Sequence, residues 1–162
     1  MTAPEKAVIA EKIMAALHRE LDGFITAAKA AQAAATDPDS KAENKYDTRN
    51  LEASYLARGV AFRVVESEVA LSEWGAMPPL DFSDRRPIAA GALVVLENEQ
   101  GRAGYFIGPG GGGITVEHDG MDVTAITAVS PLGRQLHGRK EGDTFLLDSG
   151  GRRLTTVIFS VS

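Results

Sequence analysis

The chain has 162 residues, a formal net charge of −5, 44% hydrophobic and 6% aromatic residues, and no cysteine. This length permits one ordinary domain or two small ones, and the low aromatic content favours a coiled coil joined to a small β domain over one large core. The absence of cysteine excludes disulfides, cysteine-ligated metals and thiol catalysis. Neither a membrane-length apolar run nor a signal-peptide block is present, so we expect a cytoplasmic protein with no membrane partner.

The first part of the chain predicts one long helix. From Ala3 to Ala35 the sequence is rich in alanine, and Pro4 stands where a first helical turn accepts proline. Apolar residues recur at steps of four and three, which is the heptad spacing of a helix-pairing face. The members of this predicted seam are Ala10, Met14, Leu17, Leu21, Phe24, Ala28, Ala31 and Ala35.

A short acidic break, Thr36 to Glu43, separates this helix from a second one. Pro38 interrupts the heptads, and Asp39 or Ser40 can cap the helix that follows, which we predict from Lys41 to Trp74. Because the connection is short, the helices must be antiparallel neighbours, with the acidic break at the end of the hairpin. The predicted seam of the second helix consists of Leu51, Tyr55, Phe62, Val65 and Val69, with Arg58 filling one position.

In the second half of the chain, the spacing of hydrophobic residues changes from the helical period to every second residue, which is typical of strands. A linker precedes this half, and we identify no residue in it that fixes its conformation. Turn-forming runs separate six predicted strands, and one short helix, Leu132 to His137, should face the sheet with Leu132 and Leu136. The strands are Leu93–Leu96, Ala103–Ile107, Ile114–Glu117, Val123–Val129, Thr144–Leu147 and Leu154–Val161. The predicted fold class is therefore α+β: an antiparallel helical hairpin over 1–75, a linker over 76–90, and a small, mostly antiparallel β domain over 91–162.

Three glycines, Gly108, Gly110 and Gly113, satisfy the pattern G-x-G-x-x-G. A dinucleotide-binding loop of this kind must open a helix whose N-terminus holds the pyrophosphate. The segment that follows reads as a strand. We therefore predict a hairpin tip here and no dinucleotide site.

Residues 129–143, VSPLGRQLHGRKEGD, carry the most specific pattern in the chain. A strand leads into Ser-Pro, a short helix, a glycine followed by basic residues, and a Gly-Asp turn, and a hairpin built on Ser149–Gly151 comes next. This segment resembles the C-terminal domain of the bacterial Gre transcript-cleavage factors (GreA/GreB-like). That family carries a long antiparallel helical hairpin first and an FKBP-like β domain second, the same order as the elements predicted here.

The resemblance implies a partner, bacterial RNA polymerase. In the family, the β domain docks at the rim of the secondary channel and the hairpin enters toward the active centre. Two acidic residues of the hairpin end then share a Mg²⁺ ion with the polymerase, whose own site cuts backtracked RNA. On this reading the protein is not an enzyme but a monomeric cofactor of one, without a cofactor of its own, and it meets nascent RNA only through the polymerase.

The residues of the acidic break match the family in part. Glu43-Asn44 matches the family's Glu-Asn pair, whereas Ser40 stands where the family has its first Asp and Asp39 lies one position earlier. By resemblance we assign Asp39 and Glu43 as the carboxylates of the shared Mg²⁺, an ion that prefers hard oxygen ligands. Two functions remain open: a factor that assists RNA cleavage, and a channel binder of the same fold that modulates or inhibits the polymerase without stimulating cleavage.

Two further groups of residues are candidates for contact with the polymerase. Lys41, Lys45 and Arg49 recur at steps of four along the second helix, so that with Asn44 they form a stripe suited to RNA phosphates or the channel lining. A solvated face paired with nearby acidic residues is an equal alternative. By resemblance, the expected docking residues of the β domain are exposed Ser130, Pro131, Arg134 and His137.

The FKBP-like fold that the resemblance implies raises a further alternative, a peptidyl-prolyl isomerase. Such an enzyme needs an apolar, aromatic-lined pocket. Among the available rings, Tyr105 and Phe106 are adjacent and should face opposite sides of the sheet, which leaves Phe145. We therefore expect no isomerase activity. A coiled-coil adaptor that does not bind polymerase is the remaining alternative.

Overall fold

The order of elements in the computed structural model, which describes residues 3–36 and 49–162 and the side chains of 5–36 and 51–162, is a helical hairpin followed by a six-stranded sheet with one short helix. The predicted α+β order is confirmed. The elements are α1 (Ala3–Thr36), α2 (Arg49–Ala76), β1 (Leu93–Asn98), β2 (Gly101–Gly108), β3 (Thr115–His118), β4 (Met121–Thr127), α3 (Pro131–Leu136), β5 (Thr144–Ser149) and β6 (Arg152–Val161). Neither long helix has, in its described residues, the continuous apolar stretch that crossing a bilayer would require.

The chain divides into two compact units. One unit contains Leu17–Leu71, and the other combines Met1–Ala16 with Ser72–Ser162. The bases of both helices thus belong with the sheet. The reason is burial, because Ile9 and Ile13 of α1 and Trp74 of α2 are almost fully excluded from solvent within that unit.

In the unit Leu17–Leu71, α1 buries the face that its heptads predict. Leu17, Leu21 and Ala31 are buried, and Phe24 and Ala28 are half-buried at the intervening positions. The predicted seam of α1 is therefore confirmed. Bulky side chains of this helix occupy the space between the two helices.

The predicted seam of α2 is wrong. Its five apolar residues, Leu51, Tyr55, Phe62, Val65 and Val69, are all more than half exposed. The face of α2 that is withdrawn from solvent begins at Ala53, two residues after Leu51, and has the same spacing along the helix. Its members are Ala53, Ala57, Val60, Val64, Ser67 and Leu71. Two residues turn a helix by about 200°, so α2 presents mostly small side chains to the bulky face of α1 and carries its own bulk outside.

The sheet has the strand order β3-β4-β2-β1-β6-β5. All neighbours are antiparallel except β2 and β4, which pair in parallel from Gly104↔Val123 to Gly108↔Thr127. Because β2 and β3 are not neighbours, the glycine-rich segment between them is a crossing connection, and the predicted hairpin tip is wrong. The strand expected after this segment is present as β3.

The core of the sheet-containing unit lies between the sheet, α3 and the linker. Leu136 is fully buried in it and Leu132 packs against it, which confirms that both face the sheet. Phe82 and Ile88 of the linker are buried in the same core. Ile88 also pairs with the segment after α3, since its N–H donates to Arg139 O at 2.8 Å and its carbonyl accepts from Gly138 N at 2.9 Å. The linker is therefore fixed to the sheet by contacts that sequence analysis missed.

Two glycines allow a direct test of this packing. A Cβ at Gly108 would overlap Trp74 Cζ2, whereas one at Gly23 in α1 would meet nothing within 4 Å. We expect Gly108→Ala to lower the free energy of unfolding by about 1–3 kcal/mol, because overpacking displaces neighbours. Gly23→Ala should raise it by about 1 kcal/mol, because alanine favours the helix. Urea denaturation followed by circular dichroism measures both, and a neutral Gly108→Ala would contradict the packing of Trp74 on β2.

Candidate functional site

Most residues that sequence analysis assigned to the hairpin end lie outside the described residues. Arg49 is the first residue of α2, but its side chain also lies outside the described set. The Mg²⁺ carboxylates and the basic stripe therefore stay predictions. Those outside the described ranges are Asp39, Lys41, Glu43, Asn44 and Lys45. Within the described ranges, no three acidic or histidine side chains are grouped to hold a metal ion.

Ser130 is the N-cap of α3. Its Oγ accepts a hydrogen bond from Gly133 N at 3.0 Å and donates one to Thr127 O at 2.7 Å, and Pro131 occupies the first turn, where proline is favoured. The side chain is half-buried, so the expectation of an exposed Ser130 is wrong. Its hydroxyl starts the helix and is not left free for a partner.

Three of the expected docking residues, Pro131, Arg134 and His137, are exposed. They follow one another at intervals of three, which places them along one side of α3. Val129, which is 70% exposed, precedes them. Sequence analysis included Val129 in a strand, but β4 ends at Thr127. We call Val129, Pro131, Arg134 and His137 the α3 patch.

The chain that follows α3 is tied down on several sides. Arg139 Nε donates to Gln135 O at 2.6 Å, and the Arg139 guanidinium lies 5.2 Å from the centre of the Phe145 ring. Asp143 Oδ2 accepts from Lys140 N at 2.9 Å. Together with the pairing of Ile88, these contacts hold the α3 patch in one fixed arrangement.

Lys6 of α1 joins three segments of the sheet-containing unit. Its residue is only 8% exposed, and its Nζ donates to Leu80 O in the linker and to Ser162 O after β6, each at 2.9 Å. The ammonium also lies 4.9 Å from the centre of the Phe82 ring. Burial lowers the Lys6 pKa from 10.5 to about 8, and the charge of Asp81 opposes this shift. The one sequence signal for this role is that Lys6 stands on the same helix face as buried Ile9 and Ile13.

A cleft of about 570 Å³ lies beside Lys6 in the same unit. Trp74, Met77, Leu80 and Phe106 contribute apolar walls to it. This is the aromatic-lined space that the isomerase alternative requires, and sequence analysis did not find it because Trp74 comes from the hairpin. The Lys6 amine at the cleft already donates to two carbonyls.

Removal of the Lys6 amine should weaken the fold. We expect Lys6→Met to lower the free energy of unfolding at pH 7 by about 1–3 kcal/mol, because the carbonyls of Leu80 and Ser162 lose their donor. Lys29→Met, a control at an exposed position of α1, should change it by less than about 0.5 kcal/mol. Equal effects in urea denaturation would contradict the role of Lys6.

The pH dependence of the same comparison has a definite sign. The Lys6 pKa is about 8 in the folded chain, against 10.5 for an unperturbed lysine, so between these values the unfolded chain binds the proton more tightly. Unfolding free energy then rises with pH across this window. The advantage of the wild type over Lys6→Met should therefore grow from pH 8 to pH 10. A difference that is constant with pH would show that Lys6 is not desolvated.

Comparisons with known proteins give structural neighbours but no family model. No protein-family model matches the chain, and no curated protein matches it. Among solved structures, the chain is similar to GreA factor homolog 1 (Gfh1) of Thermus thermophilus, with 25% identity, 94% of each chain covered and a TM-score of 0.38. For Gfh1 of Thermus aquaticus the identity is 21%, the coverage 93% of this chain and 92% of that one, and the TM-score 0.38. The prokaryotic transcription elongation factor GreA/GreB from Nitrosomonas europaea is 19% identical, with 73% of this chain and 95% of that chain covered and a TM-score of 0.34.

Proposed function

We propose that this chain binds bacterial RNA polymerase at its secondary channel and regulates transcription elongation. The observation that supports this most is the local fold of residues 129–143 and their surroundings. Ser130 caps α3, the segment containing Gly142 leads into β5, and the β5–β6 hairpin turns on Gly150 and Gly151, both at positive φ. This is the succession of elements that the resemblance to Gre factors implies, and it follows a helical hairpin in the same order.

The α3 patch has the chemistry of a docking surface. Val129 and Pro131 offer exposed apolar area, and Arg134 and His137 offer donors for carboxylates beside it. Arginine next to apolar contacts is typical of residues that carry much of the binding energy in protein interfaces. The contacts that hold the chain after α3 limit the backbone entropy that the patch would lose on binding.

In this proposal the hairpin end supplies carboxylates to the polymerase and the protein is not itself an enzyme. Asp39 and Glu43 are the residues that would share Mg²⁺ with the polymerase, because Mg²⁺ takes one or two carboxylates and leaves its other positions to water and phosphate. A metal so placed lowers the pKa of bound water and stabilises in-line displacement at phosphorus. Lys41, Asn44, Lys45 and Arg49 would meet the channel lining or the nascent RNA. The protein would act in the cytoplasm, where the polymerase is.

Binding is tested with purified polymerase core enzyme and the full chain. The double variant Arg134→Ala/His137→Ala should bind about tenfold or more weakly, because truncating central interface residues costs more than 1 kcal/mol each. Arg153→Ala, a control at an exposed position of β6, should bind as the wild type does. Failure of the wild type to bind core enzyme would overturn the proposal and favour the coiled-coil adaptor.

Cleavage is tested separately in stalled, backtracked elongation complexes. If the tip carboxylates hold Mg²⁺, Asp39→Ala and Glu43→Ala should reduce RNA cleavage at saturating concentrations of the protein while leaving its affinity for the polymerase unchanged. Cleavage that is equally low with the wild type, both variants and no added factor would favour a channel binder that modulates the polymerase without cleavage.

The isomerase alternative is tested by proline isomerisation in a model peptide. We expect no acceleration by the full chain. A rate that rises with the wild type and falls with Trp74→Leu would instead support catalysis in the cleft beside Lys6.

A further inference from the structure

The outer face of α2 carries a continuous apolar row that nothing in the described part of the chain covers. Leu51, Tyr55, Phe62, Val65 and Val69 are 51%, 58%, 63%, 55% and 51% exposed. Arg58 completes the row, and we call these six residues the α2 stripe. All six belong to the unit Leu17–Leu71. Exposed apolar patches of this extent mark interaction sites in soluble proteins.

The spacing of the α2 stripe indicates what covers it. Its positions advance by four, three, four, three and four residues, which is the heptad spacing that packs knobs into holes on another helix. Since α1 already occupies the opposite face of α2, the helix carries two heptad seams. The second seam calls for a helix from outside the chain.

The stripe is complementary to itself. Its positions mirror about residue 60, so that in an antiparallel pair of copies position 51 faces 69, 55 faces 65, and 58 faces 62. Each pair then joins an a position of one copy to a d position of the other, as antiparallel coiled coils require. Arg58 faces Phe62 of the second copy, where its guanidinium can stack on the ring. Arg58, which already lies 5.9 Å from the centre of the Tyr55 ring of its own chain, would gain a second aromatic neighbour.

Small residues flank the centre of this pairing. Gly59 and Ala61 are exposed on either side of position 60, and a Cβ at Gly59 would meet nothing within 4 Å. Glycine in a helix interior costs about 1 kcal/mol relative to alanine, and packing within the described part of the chain does not explain its presence. At a two-fold axis, Gly59 would face Gly59 of the second copy and let the backbones approach closely.

The available area reaches the lower end of the range for a specific dimer. The stripe's five apolar residues leave roughly 600 Å² per copy, or about 1,200 Å² for the pair. A specific interface buries about 1,200–2,000 Å² in total. We propose that the α2 stripe binds the same stripe of a second copy, antiparallel about a two-fold axis near residue 60. This replaces the monomer expected from sequence, and it does not rest on polymerase binding.

One feature of the pairing opposes association. Glu52 comes beside Glu66 of the second copy, and like charges at such positions repel. Arg63 lies 3.7 Å from Glu66 in the same chain and offsets this in part. Because salt screens the repulsion between exposed charges and apolar burial persists, the dimer should become tighter as salt is raised.

Sedimentation equilibrium of the full chain tests the proposal. The wild type should dimerise in the micromolar range, and Phe62→Ser/Val65→Ser should weaken association by about thirtyfold or more, since buried apolar contacts at the centre of an interface carry most of its energy. Val8→Ser, at an exposed apolar position of α1 outside the stripe, is the matched control and should dimerise as the wild type does. A wild-type chain that is monomeric at hundreds of micromolar would overturn the proposal.

Two further measurements establish the register of the pairing and show whether the stripe also stabilises the fold of a single chain. Because the protein has no cysteine, Leu51→Cys and Val69→Cys can be oxidised alone or mixed. Disulfide-linked dimers should form in the mixture and in neither variant alone, whereas self-linking of Leu51→Cys would overturn the antiparallel register. At concentrations below dimerisation, Phe62→Ser/Val65→Ser should keep the wild-type urea midpoint. A large drop there would place the stripe inside its own hairpin and overturn the proposal.

Discussion

The packing of Trp74 on β2 is the contact on which the sheet-containing unit depends. The indole meets Phe106 edge to face at 5.1 Å between ring centres, covers Gly108 where a Cβ would not fit, and donates from Nε1 to Gly110 O at 2.9 Å. One side chain of α2 thereby fixes a strand and the irregular segment after it. A buried tryptophan whose N–H is hydrogen-bonded combines a large apolar contact with a defined orientation. Trp74 is the single tryptophan of this protein.

Lys6 attaches α1 to the sheet-containing unit, as Trp74 attaches α2. Its amine holds the linker at Leu80 and the end of the chain's last strand at Ser162, and the linker is held again through Phe82 and Ile88. The bases of both helices and the linker therefore belong to the same compact unit as the sheet. The α3 patch lies in this unit as well, and Ile88 pairs with the chain that leaves α3.

Sequence patterns predict the elements of this fold better than their partners. Helix and strand positions follow from local spacing and turn chemistry, which the residues in and around each element contain. The parallel pairing of β2 with β4 depends on a crossing connection that local turn signals do not encode. Ser130 shows the same limit at the candidate site: the Ser-Pro motif was identified, but its hydroxyl serves the backbone of α3. The cleft beside Lys6 was not predictable because Trp74 reaches it from a distant element.

The α2 seam shows why periodicity alone does not decide which face of a helix is buried. Two rows with the same heptad spacing run along α2, and the row with larger side chains was the natural prediction. The row with the smaller average side-chain size, Ala53 to Leu71, is the one withdrawn from solvent, while the larger row lies outward. The α2 helix therefore leaves apolar area exposed to solvent. A second copy of the chain is a partner that can cover it. Pairing of this kind would leave a smaller share of free single chains as concentration rises, by mass action alone.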